Sequence, residues 1–173
     1  AMYRAMAYYL IRNQVDATDK GAIAAACQHA DISICYQDGE QVVLLNGEYV
    51  NAYLRTEAVV NMASVSSVVP EVRKKLVELQ QKLARETDVV MDGRDIGTVV
   101  LPDADVKVYL TASVETRAKR RFLELQEKGE SADLAKIAAD IEDRDYRDMH
   151  RDISPLRQAE DATLVDSSDM TID

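Results

Sequence analysis

The sequence predicts an α/β protein in which helices cover both faces of a parallel sheet and a small antiparallel subdomain is inserted. Short continuous apolar runs separated by helical patterns are typical of buried parallel strands. By contrast, the residues from 31 to 51 alternate in period two around Asp38-Gly39 and Asn46-Gly47, which predicts an antiparallel meander with tight turns. The continuous apolar runs are Asp88–Met91, Asp105–Ala112 and Ala162–Ser168.

Six further segments carry apolar residues at helical spacing. The fourth of them begins with a proline, a residue that helices accept in the first turn. We therefore expect helices at about Ala1–Arg12, Thr18–His29, Arg55–Val68, Pro70–Glu86, Ser113–Glu127 and Ala132–Met149.

Composition narrows the classes of partner. The 173 residues suit one domain, and 31 acidic residues outnumber 21 basic ones, which disfavours nucleic acid and anionic membranes as partners of the whole surface. Any anion site must therefore be a local cluster of arginines. Cys27 and Cys35 lack metal-ligand or redox spacing, and the sequence has no signal peptide or apolar run of about 20 residues. These features predict a cytoplasmic protein with reduced cysteines.

Both ends of the sequence suggest interior positions of a longer domain. Residues 1–12 begin at full helical periodicity without a capping residue. Residues 163–173 have the pattern of a strand, a turn and the first residues of a helix. We therefore expect that both termini are truncated.

Charged residues follow the first predicted parallel strand in the stretch DGRD. Asp92, Arg94 and Asp95 lie directly after Asp88–Met91, and ligands of open parallel sheets bind beyond the carboxyl ends of strands. A ligand site is one interpretation. An ordinary Asp-Gly turn explains the same residues equally well when they are considered alone.

The stretch EDRDYRDMHRDISPL provides a second candidate site. Arg144, Arg147, Asp148 and Arg151 are spaced i, i+3, i+4 and i+7, which places them on one helix face. Most such faces are simply solvated and form weak ion pairs. Here every cation is arginine, which favours bidentate phosphate binding, and a Ser-Pro-Leu break returns the chain to the last strand.

A third basic segment, ETRAKRRFLELQEKG, carries Arg117, Arg120 and Arg121 at helical spacing. Gly129 then begins a short link to the next predicted helix. Two helices joined in this way predict a mobile flap over about residues 115–150 that closes on anionic ligands and excludes water. A basic amphipathic helix is the simpler alternative.

Together these motifs resemble the bacterial cytidylate kinases of the nucleoside-monophosphate kinase superfamily. The matching stretches are MDGRDIGTVVLPDADVKVYLTAS, R-x-x-R-R with LQ-x-K-G, RD-x-RD-x-x-R with PL, and AMYRA against the family's SGAxYR. The resemblance implies a three-layer P-loop kinase-like sheet, with residues 1–173 as one truncated kinase domain and about 31–86 as an inserted acceptor subdomain. It also implies transfer of the γ-phosphoryl group of ATP, with Mg²⁺, to CMP or dCMP.

One part of the family pattern is missing from these 173 residues. The phosphate-binding loop G-x-x-G-x-G-K-S/T, with its lysine and magnesium-binding hydroxyl, does not occur. The resemblance therefore implies that strands of the parallel sheet and the final helix are also absent, and that this chain holds mainly the CMP site. The six glycines are Gly21, Gly39, Gly47, Gly93, Gly97 and Gly129.

The resemblance also implies roles for individual residues. Ser64, Arg73 and Asp95 would bind the base, because a carboxylate can accept from the cytosine amino group while arginine donates to the ring acceptors. Uracil would present a carbonyl to Asp95 instead, which disfavours it. The remaining assignments are Arg4, Arg94 and Arg151 to the acceptor phosphate, Arg144 and Asp148 to the ribose, Tyr3 to the pocket wall, Arg117, Arg120 and Arg121 to the flap, and Asp92 to Mg²⁺ through water.

Two other functions remain open. A UMP or dTMP kinase of the same superfamily is one, although Asp95 argues against it. The other is a non-catalytic nucleotide-binding or interaction protein that truly lacks the phosphate loop. The sequence shows no arrangement typical of hydrolytic or nucleophilic catalysis. The resemblance implies a monomer whose partners are the small nucleotides CMP, dCMP and ATP.

Overall fold

The computed structural model describes residues 1–171 and confirms the mixed α/β class. The chain forms two compact units, Ala1–Val90 and Met91–Asp173. The helices are α1 Met2–Arg12, α2 Lys20–Cys27, α3 Glu57–Ser66, α4 Pro70–Glu86, α5 Val114–Glu127 and α6 Leu134–His150. The strands are β1 Ile32–Gln37, β2 Glu40–Leu45, β3 Glu48–Tyr49, β4 Val108–Thr111 and β5 Thr163–Asp166. All six predicted helices are present, and no helix of the described residues is long and apolar enough to cross a membrane.

The amino-terminal unit is built around one apolar core. Helix α1 buries Met6 and Leu10, which are four residues apart and so share one helix face. Ile23 of α2, Val43 of β2 and Leu76 of α4 complete the centre of this cluster. The periodic apolar residues seen in the sequence are therefore the residues that hold this unit together.

The predicted meander lies in the same unit. Strand β1 pairs antiparallel with β2 from Ile32↔Leu45 to Gln37↔Glu40, and β2 pairs with β3. Both connecting turns have positive φ at their two central residues, at 53° and 81° for Asp38-Gly39 and 50° and 80° for Asn46-Gly47. This is the backbone of a type I′ turn, so the prediction from the Asp-Gly and Asn-Gly dipeptides is confirmed.

The carboxyl-terminal unit contains the parallel pair β4–β5 and the helix pair α5–α6. Val108↔Thr163 and Thr111↔Asp166 are the outer partners of the parallel ladder, which confirms two of the three predicted runs as strands. Side chains cap both helices: Ser113 accepts from the amide of Thr116, and Asp133 accepts from two amides at the start of α6.

The third predicted strand is wrong. Residues 88–91 have no strand hydrogen bonding among the described residues, and the Val90 side chain is fully exposed. An apolar run becomes a strand only when a neighbour completes its backbone hydrogen bonds, and no strand in the described part of the chain pairs with it. The predicted start of a helix at the carboxyl end falls on Ile172 and Asp173, outside the described residues.

Candidate functional site

An arginine cluster surrounds Asp148 in the carboxyl-terminal unit. Arg94 Nε donates to Asp148 Oδ2 at 3.0 Å, and Arg151 Nη1 lies 3.6 Å from Oδ1. Arg144 Nε is 4.0 Å from Oδ2. The structure thus brings together four residues that two separate sequence motifs predicted as binding residues.

Different local structures supply these side chains. Asp148 and Arg144 lie four residues apart on the last turns of α6, on the face where they can meet. Arg94 comes from the DGRD segment. Arg151 lies just beyond α6 in an extended conformation, and its Nε donates to the carbonyl of Ser154 at 2.6 Å.

The sequence prediction of one continuous helix face needs a correction. The helix ends at His150, so Arg151 reaches Asp148 from the residue that follows the helix rather than from a further helical turn. Arg147 Nε donates to the carbonyl of Asp143 at 3.2 Å, one helical turn back. The backbone of Arg151 is extended, with φ −69° and ψ 145°, so the helical face does not continue to this residue.

The charge of the cluster suits a phosphate. Three guanidinium groups around one carboxylate leave about two positive charges in a chain of net charge −10. Arg151 is only 12% exposed and Asp148 19%, so solvent screens their interactions less than at an open surface. One guanidinium group can donate two parallel hydrogen bonds to two oxygens of a phosphate, so the cluster could bind a dianionic phosphate. Asp148 could at the same time accept a hydrogen bond from a neighbouring hydroxyl.

Asp95 lies at an irregular turn that the sequence did not predict. Asp95 is 6% exposed. Its backbone carbonyl accepts hydrogen bonds from the amides of Val99 at 2.9 Å and Val100 at 3.1 Å. These bonds begin a π-helical turn over Ile96–Val100. Such turns are rare and occur often at functional sites, but no feature of the sequence pattern distinguishes them.

Asp92 is exposed, four residues before the first residue of this turn. Among residues 1–171 no group of three His, Cys, Asp or Glu side chains could hold a metal ion.

The three arginines of the predicted flap have different partners. Arg117 forms a bidentate ion pair with Asp145, with nitrogen–oxygen distances of 3.1 and 2.5 Å. Its Nε also donates to the carbonyl of Ala112. Arg120 donates to the carbonyls of Ser167 and Met170. The sequence patterns did not indicate the contact of Arg117 with Asp145 or the contacts of Arg120, because these partners are distant in the chain.

Arg121 differs from the other two because its partner is on the same helix. It lies 2.8 Å from Glu124, one turn further along α5. Hydrogen bonds from Lys128 and Arg121 lower the pKa of Glu124 to about 2. Both Arg121 and Glu124 are about half exposed, so this pair is a surface feature of α5.

The amino-terminal unit holds the other predicted binding residues. Arg73 is 4% exposed, donates to the carbonyl of Ser67 at 3.1 Å and has its guanidinium carbon 5.7 Å from the centre of the Tyr3 ring. Arg4 and Ser64 are exposed. The structure therefore associates Tyr3 with Arg73, and it adds Ser67, which the sequence analysis did not single out.

Comparison with known proteins gives one consistent result. The chain matches the family model described as Cytidylate kinase over residues 1–173. It is 50% identical over 173 residues to the cytidylate kinase of Lactobacillus johnsonii and covers 75% of that protein. It is 47% identical over the same length to the cytidylate kinase of Caldicellulosiruptor saccharolyticus, covering 76%, and 44% identical to that of Pasteurella multocida, also covering 76%.

Proposed function

We propose, since the chain belongs to the cytidylate kinase family, that it transfers the γ-phosphoryl group of ATP to CMP or dCMP and forms CDP or dCDP. The observation that carries this proposal is the cluster of Arg94, Arg144 and Arg151 around Asp148. Phosphoryl transfer requires two anionic groups held in line while cations neutralise their charge, and it requires little covalent chemistry from the protein. A preformed cluster of arginines meets the requirement on the acceptor side.

In this proposal the acceptor phosphate binds Arg94 and Arg151, together with Arg4. Asp148 accepts from a ribose hydroxyl, and Arg144 lies beside it. Phosphate oxygens would then accept hydrogen bonds from guanidinium groups that contact the Asp148 carboxylate in the structure. The carboxylate therefore keeps the arginines in place until an anion arrives.

Cytosine recognition in this proposal depends on Asp95, Arg73 and Ser64. The low exposure of Asp95 and Arg73 supports it, because a polar contact discriminates between bases most strongly where water cannot replace it. Tyr3, which lies beside Arg73, would form part of the pocket wall.

The donor in this proposal is ATP with Mg²⁺, and Asp92 would accept from a metal-bound water. Arg120 and Arg121 are proposed to serve the flap. We further propose that the protein acts in the cytoplasm as a monomer, with nucleotides as its partners and no role for nucleic acid or membranes.

Calorimetric titration of this chain with CMP and with UMP tests the acceptor assignment. We expect CMP to bind at least about 10-fold more tightly than UMP, because uracil opposes a carbonyl to the Asp95 carboxylate. In the Asp95→Asn variant, whose side-chain amide can donate to that carbonyl, the preference should largely disappear. The Asp103→Asn variant, at an exposed position of the same unit, should keep the parent preference.

Two results would contradict the proposal. An unchanged CMP-over-UMP preference in Asp95→Asn would remove Asp95 from base recognition. Absence of binding of both nucleotides, in a chain whose circular dichroism shows the expected helices, would remove the acceptor site itself.

A further inference from the structure

One face of α6 is partly shielded from solvent, and its side chains are apolar in the first half of the helix and acidic in the second half. The residues of α6 that are partly shielded from solvent recur at helical spacing: Ile137, Ala138, Ile141, Asp145 and Asp148. The first half of the helix therefore turns apolar side chains inward, and the second half turns two carboxylates inward. No residue of α6 is fully buried.

Each inward carboxylate is held by an arginine from another element. Asp148 accepts from Arg94 of the DGRD segment. Asp145 accepts from both terminal nitrogens of Arg117 on α5. Because a helix without fully buried residues obtains little positional specificity from apolar packing, these polar contacts determine where its carboxyl-terminal half lies.

Arg117 contacts a backbone carbonyl as well as its carboxylate. Its Nε donates to the carbonyl of Ala112, directly after β4, at 3.0 Å. Its two terminal nitrogens donate to the carboxylate of Asp145. One guanidinium thus joins the end of a strand to α6. Its planar geometry fixes direction as well as distance. Asp145 is adjacent to Arg144 in the chain and one helical turn before Asp148, so a shift at Asp145 moves both.

We propose that Arg117 is a positioning residue that acts through Asp145: it sets the placement of Arg144 and Asp148 instead of touching the transferred phosphoryl group. This inference rests on the proposed function in that Arg144 and Asp148 serve the acceptor nucleotide. It reassigns Arg117 from the group of flap arginines that close on the ligand. The three hydrogen bonds that Arg117 makes within the unit leave it committed to this contact.

The first test measures hydrogen exchange of the chain without nucleotide. In Asp145→Asn we expect the amides of residues 144–150 to exchange about 10-fold faster than in the parent, because the end of α6 opens more readily. The matched control is Glu124→Gln, which breaks the ion pairs within α5 without touching α6. Unchanged exchange in Asp145→Asn would overturn the proposal.

The second test compares the dissociation constants of cytidine and CMP, whose ratio isolates the contribution of the phosphate. Asp145→Asn should reduce this ratio about 10-fold, Asp145→Glu should recover part of it, and Glu124→Gln should leave it at the parent value. Faster exchange with an unchanged ratio would mean that Asp145 is merely structural, and would equally overturn the proposal.

A double variant separates indirect from direct action of Arg117. If Arg117 acts through Asp145, then Arg117→Gln combined with Asp145→Asn should be no weaker in CMP binding than the weaker single variant. A further loss on the Asp145→Asn background would indicate direct contact of Arg117 with the nucleotide and refute the proposal. Failure of the parent to bind CMP would refute the proposed function instead, and the exchange comparison would then decide the positioning role alone.

Discussion

The amino-terminal unit buries a continuous apolar core, whereas the carboxyl-terminal unit buries few apolar side chains and has several long-range arginine contacts. The hydrophobic cluster of the molecule extends from Met2 to Leu76, with Leu79 and Leu83 packed against it. In the described part of the second unit the buried hydrophobic residues are Val100, Ala112 and Ala118. Arg94, Arg117 and Arg120 form contacts there with residues distant in the chain.

Because of this difference, we expect the two units to respond differently to substitution, salt and anions. Apolar burial is non-directional and, unlike an ion pair, is not screened by salt, so the stability of the first unit depends on volume and packing. Charged hydrogen bonds depend on direction, on salt and on competing anions. The stability of the second unit should therefore respond to anions such as the phosphate group that it is proposed to bind.

The largest effect is expected from Leu10→Ala in α1. Leu10 is 0% exposed, so the substitution leaves a cavity and should lower the free energy of unfolding by about 2–5 kcal/mol. Urea unfolding followed by circular dichroism measures it. The control is Leu123→Ala on α5, where the leucine is 47% exposed and the change should remain within about 0.5 kcal/mol. Equal losses in the two variants would mean that the first unit is not held by its core.

A smaller effect is expected from Asp148→Asn. Removing the carboxylate leaves Arg94, Arg144 and Arg151 without their shared partner and should destabilise the second unit by about 1–3 kcal/mol at low salt. Added inorganic phosphate should restore the thermal midpoint, because an anion can take the place of the carboxylate.

Asp140→Asn, at an exposed position on the same helix, is the control for Asp148→Asn. It should change the midpoint little, and phosphate should affect it as it affects the parent. If phosphate raised the midpoints of both variants equally, the cluster around Asp148 would not be the place where the anion acts.

The smallest effect concerns Asp161, whose carboxylate accepts from the nearly buried Lys107 ammonium at 2.6 Å. This hydrogen bond lowers the pKa of Asp161 below its ordinary value. The ionised carboxylate therefore stabilises the folded state above about pH 4, the ordinary range of an aspartate, and this contribution is lost as the pH falls through the folded pKa. Because Asp161 is 64% exposed, solvent screens the pair and the effect is modest.

Thermal unfolding between pH 7 and pH 2 tests the pH prediction. The midpoint of Asp161→Asn should lie below that of the parent at pH 7, and the two should converge as the acid limb is reached. A constant difference across the whole range would show that the substitution acts through something other than the charge of Asp161.

Local sequence signals predicted the regular elements well. Helix α4 begins at Pro70 and ends at Glu86, as its periodicity and first-turn proline predicted. The Asp-Gly and Asn-Gly pairs marked both turns of the meander. These features are determined within a few residues, by backbone preferences and by which helix face is apolar, so one sequence is enough to identify them.

Features that depend on distant partners were not predictable in this way. The apolar run at residues 88–91 has the composition of a strand, but its state depends on whether another strand lies beside it. The π-helical turn after Asp95 has no periodic signature. The pairing of Arg117 with Asp145 joins residues 28 positions apart, and no spacing rule links them.

The candidate site shows the same division. Sequence patterns alone were enough to predict the α/β class, the helices and the meander, and to identify the arginine-rich motifs that indicate an anion site. The contacts of these side chains became known only from the packed structure. Asp148 contacts Arg94, Arg144 and Arg151. Arg147 instead donates to a carbonyl of its own helix, and Arg117 pairs with Asp145. The physical reason is that periodicity fixes the face on which a side chain lies, whereas the partner that a long charged side chain reaches depends on which elements pack beside that face.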